Sequence, residues 1–538
     1  MIESTMMSFP LTLTAILERA GTYFKNTEIV WRHSNKTLVR SRYGDFYHRS
    51  RALAQSLINA GLRPGDRVAT LCWNHMVHLE AYFGIPAAGG VVHPLNLRLH
   101  PEELTFIINH AQDRFLIIDD VVLSVLNTFR KNVNFERIFV VSSEKNAAPE
   151  FESYEDFIAG ANGELIYPQI EEGDAAAMCY TSGTTGKPKG IVYSHRSIVL
   201  HAFAAALPDS FAISQHDTMM FISPMFHVNG WGLPHAAVMA GSKLVFPGVV
   251  CDPASLLELL SLEKVTMTGA VPTLWIAMRE VLDKNPGRYS FAPNCRAIVG
   301  GSAPAGSLIR DFDRHGIRLI QGWGMTETSP VATLANLKAN FSGADLDTKI
   351  QYRAKQGVAV PFVEIRIVND AGLVMPWDGR SIGEIQIRGP WVARSYYNSP
   401  DSAHRWSADG WFLTGDVGTL DPAGYLKITD RTKDLIKSGG EWISSVDLEN
   451  TLMSHRAVKE AAVVGIAHEK WGERPAALIV VKDGCAVTEE ELSKHLSLHF
   501  AKWQIPDAYL FVDSIAKTSI GKFKKTAIRE QLKDWKWK

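Results

Sequence analysis

Cysteine is scarce and scattered in this chain: Cys72, Cys179, Cys251, Cys295 and Cys485 are the only five in 538 residues, and none has CxxC spacing. An odd, dispersed set favours reduced, buried thiols in a cytosolic protein over disulfides or a zinc site. Charge of one sign is also lacking. Lys plus Arg number 56 against 57 Asp plus Glu, so no general field draws the chain to nucleic acid or to an anionic membrane. No run approaches the roughly 18 uninterrupted apolar residues of a membrane span. His195, His201 and Asp209 interrupt the best candidate. Met1 to Pro10 has no basic head followed by an apolar stretch, so no secretory signal is expected. What remains is ordinary globular composition, 46% hydrophobic and 21% charged, over a length that asks for two or more cores. A multidomain cytoplasmic protein is the expectation.

Through the first three quarters, apolar β-rich runs alternate with helix-like stretches. Arg67–Asn74 reads as a strand, His75–Ala88 as an amphipathic helix, and Pro101–Ala111 as a helix opening on proline and acids. Arg114–Asp119, Met219–Ser223, Lys243–Pro247, Val265–Val271, Arg296–Val299 and Arg318–Gln321 read as further strands. Such repetition predicts an α/β fold with parallel sheets covered by helices and ligand sites at the carboxyl ends of the strands. From about Pro361 the strands become short, as in Val363–Val368 and Gly383–Arg388, and Asp370-Ala371-Gly372, Asp378-Gly379 and Asp409-Gly410 mark turns. Residues 361–430 are therefore expected to form a meander or small β-barrel. A compact α/β stretch follows, with helices at Ser445–Ser454 and Thr488–His499 and strands at Ala461–Ile466, Ala476–Val481 and Tyr509–Val512. The chain is expected to divide near Thr429–Lys433.

Tyr180-Thr-Ser-Gly-Thr-Thr-Gly-Lys-Pro-Lys-Gly190 follows the apolar run Ala175–Cys179. Small hydroxylated residues and glycines let backbone N–H groups and hydroxyls wrap polyphosphate oxygens, while Lys187 and Lys189 add positive charge. A nucleoside triphosphatase P-loop is excluded by spacing. Counting back from Gly186-Lys187, that motif needs Gly at 181 and Ser or Thr at 188, where this chain has Thr181 and Pro188.

This loop resembles the signature of the adenylate-forming superfamily, which includes acyl-CoA synthetases, luciferases and the adenylation domains of peptide synthetases. The resemblance covers essentially the whole chain and is nearest to bacterial medium- and long-chain fatty acyl-CoA synthetases. It implies a large N-terminal domain, 1–430, of two doubly wound sheets plus a small barrel, a hinge at 431–433, and a small mobile α+β domain, 434–538. It also assigns roles. Thr181, Ser182, Gly183, Thr184, Thr185, Gly186 and Lys187 would hold the phosphates of ATP. Gly301, Ser302 and Ala303, within Gly300-Gly-Ser-Ala-Pro304, would lie along the adenine, and Gln321, Gly322, Trp323 and Thr326 would complete the nucleotide site, Thr326 on the α-phosphate. Glu327 and Thr181 would contact Mg²⁺, because a carboxylate and a hydroxyl suit a hard cation bridging phosphate oxygens. Asp416 would accept hydrogen bonds from both ribose hydroxyls, with Arg431 in support. Lys433 would occupy the hinge, and Lys437 and Trp442 would contact the nucleotide. Gly439, Gly440 and Glu441 would border the coenzyme A channel. Lys522, with Glu327 and Lys437, would be catalytic; relatives often read Pro-Arg/Lys-Thr where this chain has Ala516-Lys517-Thr518.

The implied chemistry is an acid–thiol ligation through an acyl-adenylate, with ATP and coenzyme A as co-substrates and a homodimer as the assembly. Met225-Phe-His-Val-Asn-Gly-Trp-Gly232 resembles the acyl-pocket segment, with His227, Val228 and Trp231 as wall and Ala270 and Val271 on the far side. The same residues read equally as an apolar helix start with a core tryptophan, apart from the nucleotide motifs. No Asp or Arg stands out to bind a polar group on the acid, so an aliphatic acid of medium to long chain is expected. A short or sulfur-bearing acid such as a methylthio-alkanoate is the alternative. An adenylating enzyme serving a carrier protein, or oxidising its adenylate, would share these motifs, and a nucleotide-binding member without activity would lack some of them.

Overall fold

The computed structural model describes residues 2–142, 148–161, 164–181, 187–431, 434–438, 441–517, 523–535 and 537, the side chains of Glu441 and Trp442 excepted. One sheet has seven strands in the order Glu152–Ser153, Arg137–Val141, Asp113–Asp119, Arg67–Leu71, Val91–Pro94, Ala175–Tyr180 and Gly190–Ser194. All neighbours are parallel except the last pair. A second sheet has nine strands: Val358–Ala359, Val331–Leu334, Ile317–Gly324, Cys295–Val299, Met267–Ala270, Thr218–Met220, Lys243–Phe246, Glu28–Arg32 and Leu38–Arg42. Ile317–Gly324 through Glu28–Arg32 run parallel, and the flanking strands are antiparallel. The βα repetition read in the sequence is thus the α/β fold it predicts.

Helices Leu13–Tyr23, Tyr43–Asn59, Met76–Ala87, His195–Ala206 and Leu233–Ala240 form a layer shared by both sheets. Their Leu17, Phe46, Leu79, Ala202 and Ala237 pack in one core with Val68 and Phe115 of the first sheet and Leu244 and Met267 of the second. The outer face of the nine-stranded sheet is covered by Pro253–Leu262, Pro272–Lys284 and Gly306–Arg314. Pro101–Ala111 and Leu123–Phe129 cover that of the other sheet.

Its central position changes the reading of Met76–Ala87. Expected to be amphipathic, it is buried on nearly every side, as a helix between two sheets must be. Its one acid, Glu80, is matched by Arg49 Nε at 2.6 Å and by the Tyr154 hydroxyl at 2.7 Å. His75 caps the helix, Nδ1 accepting the His78 N–H at 3.3 Å while Nε2 bonds Asp119 at 2.7 Å. The preceding strand stops at Leu71 rather than Asn74, because Asn74 crosses to the second sheet. Its amide donates to the carbonyls of Phe221 and Ser223 at 2.7 and 2.8 Å and accepts the Met225 N–H at 2.9 Å.

The segment expected to be a meander or barrel is an antiparallel meander of Glu364–Val368, Gly383–Arg388, Phe412–Leu420 and Leu426–Arg431. Its outer strands do not pair with one another among the described residues, so the sheet stays open instead of closing into a barrel. Beyond it, Ile436–Ser438, Glu441–Ile443, Val458–His468, Gly472–Val481 and Ala508–Phe511 form a five-stranded sheet. Helix Ser445–Ser454 has the bounds read from the sequence. Helix Glu489–Ser497 opens on a capping box between Thr488 and Glu491. No helix among the described residues is long and apolar enough to cross a membrane.

The inner helical layer carries a pH dependence. His235 stacks on Tyr82 with ring centroids 5.4 Å apart, and neither ring nitrogen has a hydrogen-bond partner among the described residues. Burial lowers its pKa from 6.5 to about 3, and that of His201 from 6.5 to about 4. Between those values the unfolded chain binds more protons than the folded one, so this stability is complete above the unfolded value and is lost as pH falls through the folded values. The melting temperature should therefore drop as pH is lowered from 6.5 towards 4, and should drop less in His235→Phe. Thermal melts across that window check both statements; equal acid sensitivity in the two proteins would exclude His235 as a source.

Candidate active site

The strands on either side of the glycine-rich loop form a hairpin. Ala175–Tyr180 pairs antiparallel with Gly190–Ser194, Tyr180 standing opposite Gly190. The Thr181 N–H donates to the Lys189 carbonyl at 2.9 Å, and the Lys189 N–H returns to Thr181 Oγ1 at 3.2 Å, which closes the mouth of the loop. A P-loop leads into a helix; a returning strand excludes that geometry, as the spacing did. Ser182, Gly183, Thr184, Thr185 and Gly186 lie outside the described residues. Lys187 is exposed beside them with its ammonium over the Phe106 ring at 5.2 Å, and the Lys189 ammonium lies over Tyr396 at 4.8 Å.

Tyr396 links this hairpin to Glu327. Its hydroxyl donates to Glu327 Oε1 at 2.5 Å, and that carboxylate is only 5% exposed. Burial and the facing carboxylate raise the phenol well above its ordinary range, so it stays protonated as a donor. Glu327 stands in the short turn Thr326–Thr328 beyond strand Ile317–Gly324. The turn is fixed from two sides: Tyr193 donates to the Thr326 carbonyl at 2.7 Å, and the Ala393 N–H to that of Glu327 at 2.7 Å. The described side-chain partner of Glu327 is a neutral phenol, which brings no opposing charge to the carboxylate. Carboxylate oxygens are hard donors of the kind a divalent cation takes.

Asp416 is buried in Phe412–Leu420. The Trp323 indole N–H donates to its Oδ2 at 3.0 Å, and Arg431 Nε faces Oδ1 at 3.2 Å. Arg431 is its partner in the sheet register, so the meander supplies the ion pair and the nine-stranded sheet the indole. Oriented at both oxygens, the carboxylate retains lone pairs for a vicinal diol. Gly301 turns the chain at φ 90°, open only to glycine, and Gly301 and Ser302 are exposed. Gln321 is different. With its amide oriented to suit its neighbours, it donates to the carbonyls of Lys355 and Ala354 at 2.9 and 2.8 Å and accepts from Gln356 at 2.8 Å. Its side chain serves the 354–356 turn, which leaves the strand end at Gly322 and Trp323 to face the site. Lys437 is exposed on Ile436–Ser438, opposite Trp442 in the register. Lys433, Gly439, Gly440, Lys522 and the side chains of Glu441 and Trp442 lie outside the described residues.

The acyl-segment candidate departs furthest from its sequence reading. Val228, Asn229, Gly230, Trp231 and Gly232 have φ of 37°, 40°, 63°, 61° and 69°, a left-handed turn in place of a helix start. Left-handed backbone costs about 1–2 kcal/mol per non-glycine residue, so the surroundings must impose it. Asn74 holds the Met225 N–H, and the Tyr82 hydroxyl donates to the Met225 carbonyl. Cys179, its thiol pushed up to about 11 by burial, packs in the same core as Val228. His227 is half-buried, while Val228 and Trp231 are 5% and 9% exposed. The Trp231 ring rests against Gly300, the first residue of the adenine motif, so the two motifs adjoin rather than stand apart. Ala270 packs in the core on the outer face of its sheet; Val271 packs against the core that contains Trp231. Tyr396, Tyr193, Asn74 and Tyr82 carry no motif that a single sequence could reveal. Gly269, which also faces Trp231, had one signal: glycine inside a strand marks close approach.

The AMP-binding enzyme profile matches residues 17–397, and the profile of the AMP-binding enzyme C-terminal domain matches 447–522. The chain belongs to the AMP-binding enzyme family. It is 46% identical over 536 residues to a long-chain-fatty-acid–CoA ligase of Thermus thermophilus, covering 99% of this chain and 97% of the relative. It is 40% identical over 536 residues to a medium-chain-fatty-acid–CoA ligase of Ectopseudomonas oleovorans, covering 98% and 97%. Among solved structures, ATP-bound MatB from Rhodopseudomonas palustris superimposes with a TM-score of 0.81 at 25% identity, covering 98% of this chain and 99% of that one.

For an AMP-binding enzyme, the Trp323–Asp416 bond gives a direct test. Trp323→Phe keeps the ring and removes the donor to the carboxylate. A hydrogen bond to a charged group is worth about 1.5 kcal/mol, so the Kd for AMP should rise about tenfold. Calorimetric titration with AMP measures it, and an unchanged Kd would remove Asp416 from the nucleotide site.

Proposed function

We propose that the chain is an AMP-forming acyl-CoA ligase acting on fatty acids. The carboxylate attacks the α-phosphorus of ATP, releasing diphosphate and forming an acyl-adenylate; the coenzyme A thiol then attacks the acyl carbon and AMP leaves. The observation that carries the reading is the pair of buried carboxylates, Glu327 and Asp416, each oriented by an aromatic donor, the first linked through Tyr396 to Lys189 of the glycine-rich hairpin. Activation is needed because a free carboxylate has no good leaving group, whereas AMP is one.

In this reading Asp416 accepts from the ribose diol, and Arg431 fixes the side chain by its charge. The exposed backbone at Gly301 and Ser302 lies along the adenine. Thr181 and Glu327 would hold Mg²⁺, which when bound would offset phosphate charge so that one anion can approach another. Lys187 adds charge at the loop, and Lys522 meets the substrate carboxylate and the α-phosphate. Apolar lining around Val228, Trp231 and Val271, with no Asp or Arg among these, supports an aliphatic acid. Residues 434–538 are proposed to pivot as a small domain about Lys433; the two cores built within 436–537 support this. A homodimer and a cytoplasmic location belong to the same proposal, the first checked by light scattering of the purified protein.

The decisive assay is coenzyme A-dependent AMP release over straight-chain acids from butanoate to hexadecanoate. A carrier-protein enzyme would release no AMP in response to free coenzyme A. Lys522→Ala should lose about 10²–10³ in adenylation rate, the scale for one preorganised electrostatic contact, while thioester formation from supplied acyl-adenylate is nearly kept. Equal losses in both half-reactions would refute that role.

Lys433→Pro should do the reverse. Proline fixes φ near −65° and removes the N–H, and hinge closures concentrate their dihedral changes in a few residues. ATP–diphosphate exchange should survive and acyl-CoA formation should drop steeply. Near-wild-type rates in both assays would move the hinge elsewhere.

A further inference from the structure

Strand Met267–Ala270 alternates: Met267 packs with the inner helical layer and Ala270 with the outer core. Gly269 therefore shares the Met267 face, towards Trp231. A Cβ at 269 would stand 3.1 Å from Trp231 Cζ3 and 3.3 Å from Cε3. At 300 it would stand 3.0 Å from Cη2 and 3.3 Å from Cζ2. These separations are tighter than ordinary side-chain contact. Gly269 pairs with Ile298, and Gly300 follows Val299 in that adjacent strand. The benzenoid part of the indole thus lies on a floor made of two bare stretches of backbone on neighbouring parallel strands.

The ring has little freedom to answer a rising floor by moving its own backbone. Trp231 is the fourth of five consecutive left-handed residues. That turn is held by Asn74 and Tyr82 at Met225, and its Val228 is packed in the same core as Cys179. An added methyl would have to displace the indole outward, away from the strands.

We propose that Gly269 is a specificity-determining residue of the ligase: its missing side chain lets the Trp231 indole lie back on the sheet and sets the depth left for the acyl chain. The proposal rests on the ligase reading and on Met225–Gly232 as the acyl wall. Gly269 acts through Trp231, so the test must separate this from a general loss of packing. In strand geometry Gly269 carries no left-handed φ, and alanine is therefore open to its backbone.

The experiment measures kcat/KM for butanoate and hexadecanoate in wild type, Gly269→Ala, Trp231→Leu and the double variant, with the KM for ATP alongside. Gly269→Ala should lower the hexadecanoate-to-butanoate ratio by about tenfold, the scale of one methylene in an apolar pocket. In the Trp231→Leu background the same substitution should leave the ratio unchanged, because the displaced ring is gone. The KM for ATP should stay put in Gly269→Ala and rise in Gly300→Ala, since only Gly300 begins the adenine motif. A uniform loss for both acids, an unchanged ratio, or the same shift with and without the indole would overturn the proposal while leaving the ligase reading intact. A wild type that releases no AMP with any acid would overturn both.

Discussion

The two carboxylates of the site are set by neutral aromatic donors that reach them from other strands and loops. The Trp323 indole crosses from the nine-stranded sheet to Asp416 in the meander, and Tyr396 reaches Glu327 from a loop that also receives Lys189. A buried carboxylate left without a partner would be costly, so these bonds are conditions of docking as much as features of the site. Neutrality matters too. A lysine in place of Tyr396 would orient Glu327 equally well but would cancel the charge that a divalent cation needs. Asp416 does have a cation, Arg431, yet that side chain is 41% exposed. Solvent screens much of such an interaction, and the arginine acts more as a positional restraint than as a neutralising charge.

The same docking explains why acyl and nucleotide residues cannot be treated as independent modules. Asn74, just past a strand of the seven-stranded sheet, fixes Phe221, Ser223 and Met225 beside the other sheet. Cys179, in the first strand of the glycine-rich hairpin, shares a core with Val228 and Trp231 of the turn. Trp231 in turn rests on Gly300, where the adenine motif begins. A change at any of these points displaces packed atoms, and packed interiors pass on sub-ångström shifts instead of absorbing them.

What the sequence made legible follows from how local each signal is. Pro101 and the acids after it open a helix within one turn of chain, and the helix ends at Ala111 as read. Ser445–Ser454 is equally local. Arg67–Asn74 was read too long, because Asn74 leaves the strand for partners about 150 residues away. The amphipathic reading of Met76–Ala87 failed for a related reason: its second apolar partner is a sheet that comes later in the chain. Thr181, Trp323, Glu327 and Asp416 were named from resemblance, whereas Tyr396 and Tyr193, which meet Glu327 and its turn, are set by tertiary contact. The left-handed turn at Val228–Gly232 runs against the preference of valine and tryptophan, and no local rule would have proposed it.

The hairpin form of the glycine-rich loop has an electrostatic consequence. A loop that opens into a helix places polyphosphate at a helix N-terminus, where aligned peptide dipoles amount to about half a positive charge. A loop that returns as an antiparallel strand has no such field behind it, since strand dipoles nearly cancel. Charge for the phosphates must then come from side chains and ions. Of the lysines at the loop, Lys189 already lies over Tyr396 and Lys187 over Phe106, so their ammonium groups are steered by rings as well as by any ligand. Among the described residues, Lys187 and Lys189 bring the positive charge at this loop. The proposed mechanism accordingly draws on a divalent cation at Glu327 and on Lys522 of the C-terminal segment, either of which would add positive charge to what the hairpin lysines supply.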